Sequence, residues 1–267
     1  MQKKQRGPAE EAAAPPGKAG KKVRISEADR SHAEHRKRLR RRFRREGLDE
    51  FTDVQAVELL LFQSIPRIDV NPLAHTLLRH FGSFGNLLRA SAEELMQVEG
   101  IGENTATNLT LLLPVLRRYL QDGQRPGKQM QTQSACGQYL QAKCLGEREE
   151  VGYLLCLNAK GQLIDCKLMQ RGTRTGTYVD LRELAGTAFR LNAASVVLGH
   201  NHPGGELYPS EADIASTTAL KEALALFDIR LLDHFIVSDD GYLSLAGCDT
   251  LHGVLCPVDR KGRYLLR

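Results

Sequence analysis

The run Ser195-Val196-Val197-Leu198-Gly199, together with the fourteen or so residues after it, constrains the fold more than any other stretch of the chain. A short apolar, β-branched segment of this kind makes a buried strand. If the extended backbone persists past Gly199, His200 and His202 project to the same side, because side chains alternate with period two. Pro203-Gly204-Gly205 then ends the strand. Ser210-Glu211-Ala212-Asp213 reads as a helix start, with Ser a favoured N-cap and an acid three positions on completing a capping box. A strand, a glycine-rich turn and a helix can thus bring two imidazoles and one carboxylate to a single point.

Two His and one Asp leave a fourth tetrahedral position for water, the arrangement of a catalytic zinc site with one ion per chain. Water at such a site can lose a proton near neutral pH and hydrolyse a bond. A general base is then needed, and Glu150, ahead of the apolar run Val151–Leu157, offers one. Plainer readings stand beside this. Ser210 and Asp213 can serve only as a helix cap, and a His-x-His pair occurs among surface or packed histidines without any metal.

The pattern Glu150 … His200-x-His202-x10-Asp213 with Ser210 resembles the JAMM motif of the JAB/MPN metalloprotease superfamily. Leu191-Asn192-Ala193-Ala194, Gly199 to Gly205, Pro209-Ser210 and Leu232-Asp233-His234-Phe235-Ile236-Val237 resemble the bacterial RadC-like family, and the likeness spans roughly residues 40 to 247. It implies that His200, His202 and Asp213 bind zinc, that Glu150 acts on the water, and that Ser210 stabilises an oxyanion. It also implies an α/β fold of the MPN/JAB (cytidine-deaminase-like) kind, a mixed sheet flanked by helices, preceded by a small all-α helix-hairpin-helix domain. Two departures are visible. Gly204 stands where these chains commonly have Ser, and Asp180-Leu181-Arg182-Glu183 lacks a frequent Pro, although Asp180 can cap the helix instead. Glu149 flanks Glu150 and is the alternative base. Strand alternation would point the two acids to opposite faces.

His234 sits in a segment read as strand, and with three ligands already assigned it is expected to be a hydrogen-bonded core residue or a support behind the ligands. Six cysteines without a Cys-x-x-Cys pair argue against a zinc ribbon and for reduced thiols. No apolar run approaches the roughly 18 residues needed to cross a membrane, and the N-terminus lacks the apolar core of a secretory signal. A cytoplasmic protein is expected.

Charge is uneven. Residues 1–47 hold sixteen Lys/Arg against six Asp/Glu, a net of +10 in a chain whose total is +5. The excess is densest over residues 36–45, which reads either as a solvated helix face or disordered arm, or as a contact for nucleic-acid phosphate. Residues 1–27 are expected to be a disordered basic tail. Residues 28–122 read as helical, with Val54, Val57, Leu60 and Leu61 at helical spacing and Pro114 expected to kink or break a leucine-rich helix. Ser91 to Glu94 opens a further helix with a capping box. It leads into residues 98–102, Val-Glu-Gly-Ile-Gly, which resemble the hairpin of a helix-hairpin-helix module. Such a hairpin can meet phosphate through free backbone N–H groups or serve simply as helix packing.

Residues 123–129 read as a linker, 130–252 as the MPN (JAB) hydrolase domain and 253–267 as a C-terminal tail. The expected activity is metal-assisted amide hydrolysis on a peptide or isopeptide. Two alternatives remain. One is a protein associated with DNA binding or repair, in which zinc is structural, with non-specific contact through residues 36–45 and 98–102. The other is a catalytically silent scaffold.

Overall fold

The computed structural model describes residues 27–122, 126–172, 180–248 and 254–265. The expected N-terminal tail, apart from its last residue, lies outside the described residues, as do residues 123–125 of the linker. The described chain is a mixed α/β domain preceded by a helical region.

Among the described residues, seven helices form the helical region: α1 (Glu27–Glu46), α2 (Asp53–Leu61), α3 (Asn71–Phe81), α4 (Phe84–Arg89), α5 (Ala92–Met96), α6 (Glu103–Thr110) and α7 (Leu112–Asp122). They enclose their own core, built on Leu39, Val57, Leu61, Leu77, Leu95 and Leu109. The capping box expected at Ser91 is present, with Ser91 and Glu94 each accepting the other's backbone N–H. The break expected near Pro114 falls at Leu111, between α6 and α7. Proline has no N–H to give the carbonyl four residues back, so the hydrogen-bond ladder stops at Thr110.

Helix α8 (Gln133–Cys144) opens the second domain, followed by β1 (Val151–Leu157), β2 (Leu163–Arg171), α9 (Leu181–Arg190), β3 (Ser195–Asn201), α10 (Glu211–Ala225), β4 (Arg230–Val237) and β5 (Tyr242–Ser244). The sheet order is β2-β1-β3-β4-β5. Only β3 and β4 run parallel, joined through α10, and the other neighbours are antiparallel. Period-two alternation sends Leu154, Cys156, Val196 and Leu198 to one face, against α9 and α10. Tyr153, Leu155, Leu157 and Val197 face the other way, against Leu140 and Tyr139 of α8. Both faces are covered, so β1 and β3 are buried along their full length.

An irregularity in the β3–β4 register pairs Val196 with Leu231 and Val197 with Asp233, so Leu232 is an extra residue in β4. The bulge resets the alternation and puts His234, paired with Leu198, on the face that carries His200. The C-terminal segment is packed rather than trailing. Tyr264 and Leu255 are buried, and the Tyr264 hydroxyl donates to Asp233 at 2.9 Å. The second half of the expected linker joins the sheet margin, with the Gly127 N–H bonded to the Leu163 carbonyl. None of the six cysteines is in a disulfide, and burial pushes Cys136, Cys144 and Cys156 up to about 12.

Polar contacts tie the helical region to the sheet domain. Arg148 makes a two-pronged contact with Glu94. Arg117 and Arg171 both pair with Glu147, and Arg89 pairs with Asp239. No helix among the described residues is long and apolar enough to cross a membrane.

Candidate metal centre

Strand β3 delivers His200 at its buried end. The strand's pairing continues one step further, because the His202 N–H bonds to the Val237 carbonyl at 2.8 Å. This keeps the backbone extended long enough for both imidazoles to face the same side. The chain then turns through Pro203-Gly204-Gly205, with Gly205 at φ +88° in the left-handed region that glycine tolerates. Ser210 caps α10, and its capping box with Asp213 is complete. Asp213 therefore stands on the first turn of α10, beside the end of β3.

The three side chains converge. One ligand atom from each of His200, His202 and Asp213 lies within 4.8 Å of the others, an arrangement no other His, Cys, Asp or Glu group makes among the described residues. His200 Nε2 is 2.9 Å from His202 Nε2 and 3.3 Å from Asp213 Oδ1, and His202 Nε2 is 3.8 Å from Asp213 Oδ2. Tetrahedral ligands at zinc–nitrogen distances of about 2.0–2.1 Å lie roughly 3.3 Å apart, so the observed spacings bracket what zinc needs.

The outward atoms of the site are occupied by the protein. His202 Nδ1 lies 2.9 Å from the Glu206 carbonyl, which can only accept, so that nitrogen carries a proton and Nε2 is the atom turned toward His200 and Asp213. Asp213 Oδ2 accepts from both the N–H and the hydroxyl of Ser210, at 2.8 and 2.6 Å, while Oδ1 is the oxygen nearer His200. His200 Nδ1 contacts His234 Nε2 at 2.8 Å. Burial pushes the His200 imidazole down to about 4, with His202 acting in the same direction and Asp213 opposing. A neutral imidazole is the form that ligates a metal. This donor set could hold a metal ion.

The three residues line a cavity of about 270 Å³ with Glu150, Gly152, Met169, Gln170, Ser210 and Ser216. Glu150 and Ser210, both singled out from the sequence, therefore share the cavity with the candidate ligands. Glu149 is not among its lining, and its carboxylate lies against Gly172 instead. The backbone around Glu150 is pinned from two sides. Asn201 Nδ2 donates to the Glu149 carbonyl at 3.1 Å and Asn201 Oδ1 accepts from the Val151 N–H at 2.7 Å. The Glu150 carbonyl accepts from the Gly172 N–H at 2.8 Å.

Asn201 and Thr217 hold parts of the site from behind, and the sequence did not single out either. Thr217 follows Asp213 by four positions on α10, the one sequence signal that it shares a helix face with a ligand. Asn201 alternates with the histidines and so points to the opposite face, for which an isolated sequence gives no partner. His234 is buried and bonded to His200 and Thr217, a support behind the ligands rather than one of them.

In the helical region, the hairpin at 98–102 places Gly100 at φ +93° and makes Gly102 the N-cap of α6 without a side-chain cap. Exposed Glu99 and Glu103 flank it. The arginine run lies on α1, and its members divide. Arg36 is buried, donates to the Ile65 and Ile68 carbonyls at 2.8 and 2.6 Å, and stacks on Phe62. Arg40 also lies over Phe62, and Arg42 bonds to Glu46, Gln55 and the Glu50 carbonyl. Arg38, Arg41 and Arg44 are exposed. Part of this basic segment is thus structural, which composition alone could not reveal.

Residues 130–250 match the family described as RadC-like JAB domain, and residues 61–112 match the helix-hairpin-helix motif. The chain is 38% identical over 209 residues to a UPF0758 protein of Janthinobacterium sp. (strain Marseille), covering 78% of this chain and 93% of that one. A UPF0758 protein of Herminiimonas arsenicoxydans is 36% identical over the same shares, and one of Paraburkholderia xenovorans (strain LB400) is 34% identical over 78% of this chain and 82% of its own. The fold and site thus define a RadC-like JAB protein with a helix-hairpin-helix region ahead of it. The chain belongs to the UPF0758 family.

Proposed function

We propose that this protein is a zinc-dependent hydrolase acting on an amide bond, a metallopeptidase or isopeptidase of the JAMM type. The observation that carries this reading is one cavity lined by three convergent metal-ligand candidates, a carboxylate and a hydroxyl: His200, His202, Asp213, Glu150 and Ser210. Zinc bound there supplies Lewis acidity and makes water acidic enough to act as a nucleophile near neutral pH. His200, His202 and Asp213 would hold the ion beside the cavity. Glu150 takes the proton of the attacking water and returns it to the leaving nitrogen, base first and acid second. Ser210 donates its hydroxyl to the developing oxyanion. To do so it gives up Asp213 Oδ2, which retains the Ser210 backbone N–H.

The test pairs Glu150→Gln with His202→Ala. Metal content is read by mass spectrometry, and hydrolysis is read on a library of quenched fluorescent peptides and ε-linked isopeptides. Glu150→Gln is expected to keep about one zinc per chain and lose hydrolysis, whereas His202→Ala loses the metal. Equal zinc loss in both would make Glu150 a ligand or a structural residue.

A second activity, contact with nucleic acid, is favoured by the helix-hairpin-helix match and by the exposed Arg38, Arg41 and Arg44. Glu99 and Glu103 oppose phosphate at the hairpin of residues 98–102, so the arginines of α1 carry more of this reading. Salt-sensitive retention on DNA that survives chelation of the metal is its expected signature, and would also separate it from the peptidase activity.

A further inference from the structure

Thr217 on α10 and His234 on β4 form the outer part of a chain of short contacts that ends on His200. Thr217 Oγ1 lies 2.5 Å from the Asp213 backbone oxygen and 2.6 Å from His234 Nδ1. His234 Nε2 in turn lies 2.8 Å from His200 Nδ1. Thr217 is 0% exposed and His234 1%, so water does not substitute for either partner.

The direction of the protons follows from counting them. A threonine hydroxyl has one proton, and a backbone carbonyl can only accept. The contact with the Asp213 carbonyl therefore uses the Thr217 proton, and Thr217 Oγ1 accepts from His234 Nδ1–H. His234 is buried and its two ring nitrogens meet only Thr217 and His200; an imidazole that spends its one proton on Thr217 presents Nε2 as a bare lone pair. His200 Nδ1 must then be the donor to it. The His200 proton faces outward, and its Nε2 lone pair faces His202 and Asp213. The opposite direction would leave Thr217 Oγ1 and the Asp213 carbonyl oxygen 2.5 Å apart with no proton between them. It would also turn an N–H of His200 into the site, whereas the assigned direction aims the His200 Nε2 lone pair at His202 Nε2, 2.9 Å away, a contact that a bound cation would bridge.

We infer that Thr217 and His234 are positioning residues that lock His200 in the Nδ1-protonated tautomer, so that Nε2 is presented as the metal ligand. The inference rests on the metal-site part of the function proposed above and is independent of the hydrolytic step. It also links the three elements of the site. Thr217 holds the carbonyl of the residue that supplies the carboxylate, His234 spans to β3, and the bulge at Leu232 is what lets β4 offer His234 on that face. Partners behind a ligating histidine commonly change metal affinity by 10–100-fold when removed.

Two measurements test it. In metal-free, 15N-labelled protein, two-bond proton–nitrogen correlations report the tautomer of each imidazole, and His200 is expected to carry its proton on Nδ1. Protonation of His200 at Nε2 would overturn the inference. Zinc affinity is then measured by competition with a chromophoric chelator in the wild type, Thr217→Val, His234→Leu and His234→Gln. The first two variants are expected to bind zinc about 10–100-fold more weakly. His234→Gln recovers most of that loss, because its carbonyl can accept from His200 and its amide can donate to Thr217. Unchanged affinity in both Thr217→Val and His234→Leu would overturn the inference even if the tautomer is as stated. If His234→Leu does not fold, Thr217→Val, which keeps the side-chain shape, decides. A wild type that takes up no zinc would defeat the hydrolase reading, while the tautomer spectrum alone would still settle the relay.

Discussion

Asn201 lies between the two candidate histidine ligands in sequence, yet its side chain closes on Val151, whose N–H it accepts at 2.7 Å. Its Nδ2 reaches the Glu149 carbonyl, so one carboxamide grips the backbone on both sides of Glu150. Regular pairing of β1 with β3 ends at Gly152 and His200. Asn201 carries the ladder one step further with a side chain in place of a peptide. The strand that supplies His200 thereby also fixes the segment that supplies Glu150.

Asn201→Ala is expected to leave the buried Val151 N–H without a partner, at a cost of about 1–3 kcal/mol. Zinc stoichiometry should be unchanged, because no ligand is removed. Urea denaturation and metal content measured on one preparation would check both halves, and an unshifted midpoint would show that water or a neighbouring group replaces the clamp.

Gly199 and Gly204 stand on either side of His200 and should behave oppositely. A Cβ on Gly199 would meet Leu140 Cδ1 at 2.5 Å, and Leu140 is fully buried under the sheet. Gly199→Ala should therefore cost about 1–3 kcal/mol as overpacking and weaken zinc binding by shifting His200. At Gly204 a Cβ meets nothing within 4 Å and the backbone φ is not positive, so Gly204→Ser should stay within about 0.5 kcal/mol of the wild type. Thermal and urea midpoints of the two variants provide the comparison.

The convergence of His200, His202 and Asp213 was legible in the sequence because its parts are local: a β-branched strand, a Pro-Gly-Gly turn and a capping box each follow from neighbouring residues. What was not legible depends on contacts across the fold. Helix α8 is hard to read from sequence because four of the six residues it buries, Cys136, Gly137, Ala142 and Cys144, are small, and Tyr139 and Leu140 alone make no apolar stripe. Gly137 is required there because the Tyr242 ring occupies the space of a Cβ. The bulge at Leu232 exists only as a register between β3 and β4. The grip of Asn201 joins residues fifty positions apart. Sequence alternation separated Glu149 from Glu150, but only the cavity shows which of them shares space with the histidines.

The contact between Arg148 and Glu94 should make the junction of the two domains acid-sensitive. Hydrogen bonding from Arg148, with the Ser91 backbone N–H next, holds the Glu94 carboxyl down at about 2, against an ordinary value of 4.5. A depressed carboxylate contributes stability that is present above its unfolded value and lost as pH falls toward the folded one. The contribution should therefore fade between about pH 4.5 and 2. The pair is solvent-exposed, so the effect should be small and weakened by salt. Arg148→Met leaves the Ser91 cap intact and is expected to flatten this part of the midpoint-against-pH curve. Identical curves for variant and wild type would assign the acid sensitivity elsewhere.

The arginines of α1 should separate into two classes by experiment. Arg36→Met removes hydrogen bonds to the Ile65 and Ile68 carbonyls and the stacking on Phe62. It should destabilise the helical region by about 1–3 kcal/mol, because the two carbonyls lose a charged donor and Arg36 itself is buried. Arg38, Arg41 and Arg44 recur every three residues on α1, so they sit along one side of the helix. Replacing all three with Gln should leave the urea midpoint nearly unchanged. If this side meets phosphate, the dependence of log affinity for duplex DNA on log salt should become shallower by about 0.9 for each arginine that makes a contact. A triple variant with the wild-type salt slope would remove α1 from the DNA reading. A loss of stability matching that of Arg36→Met would mean that these side chains, too, are structural.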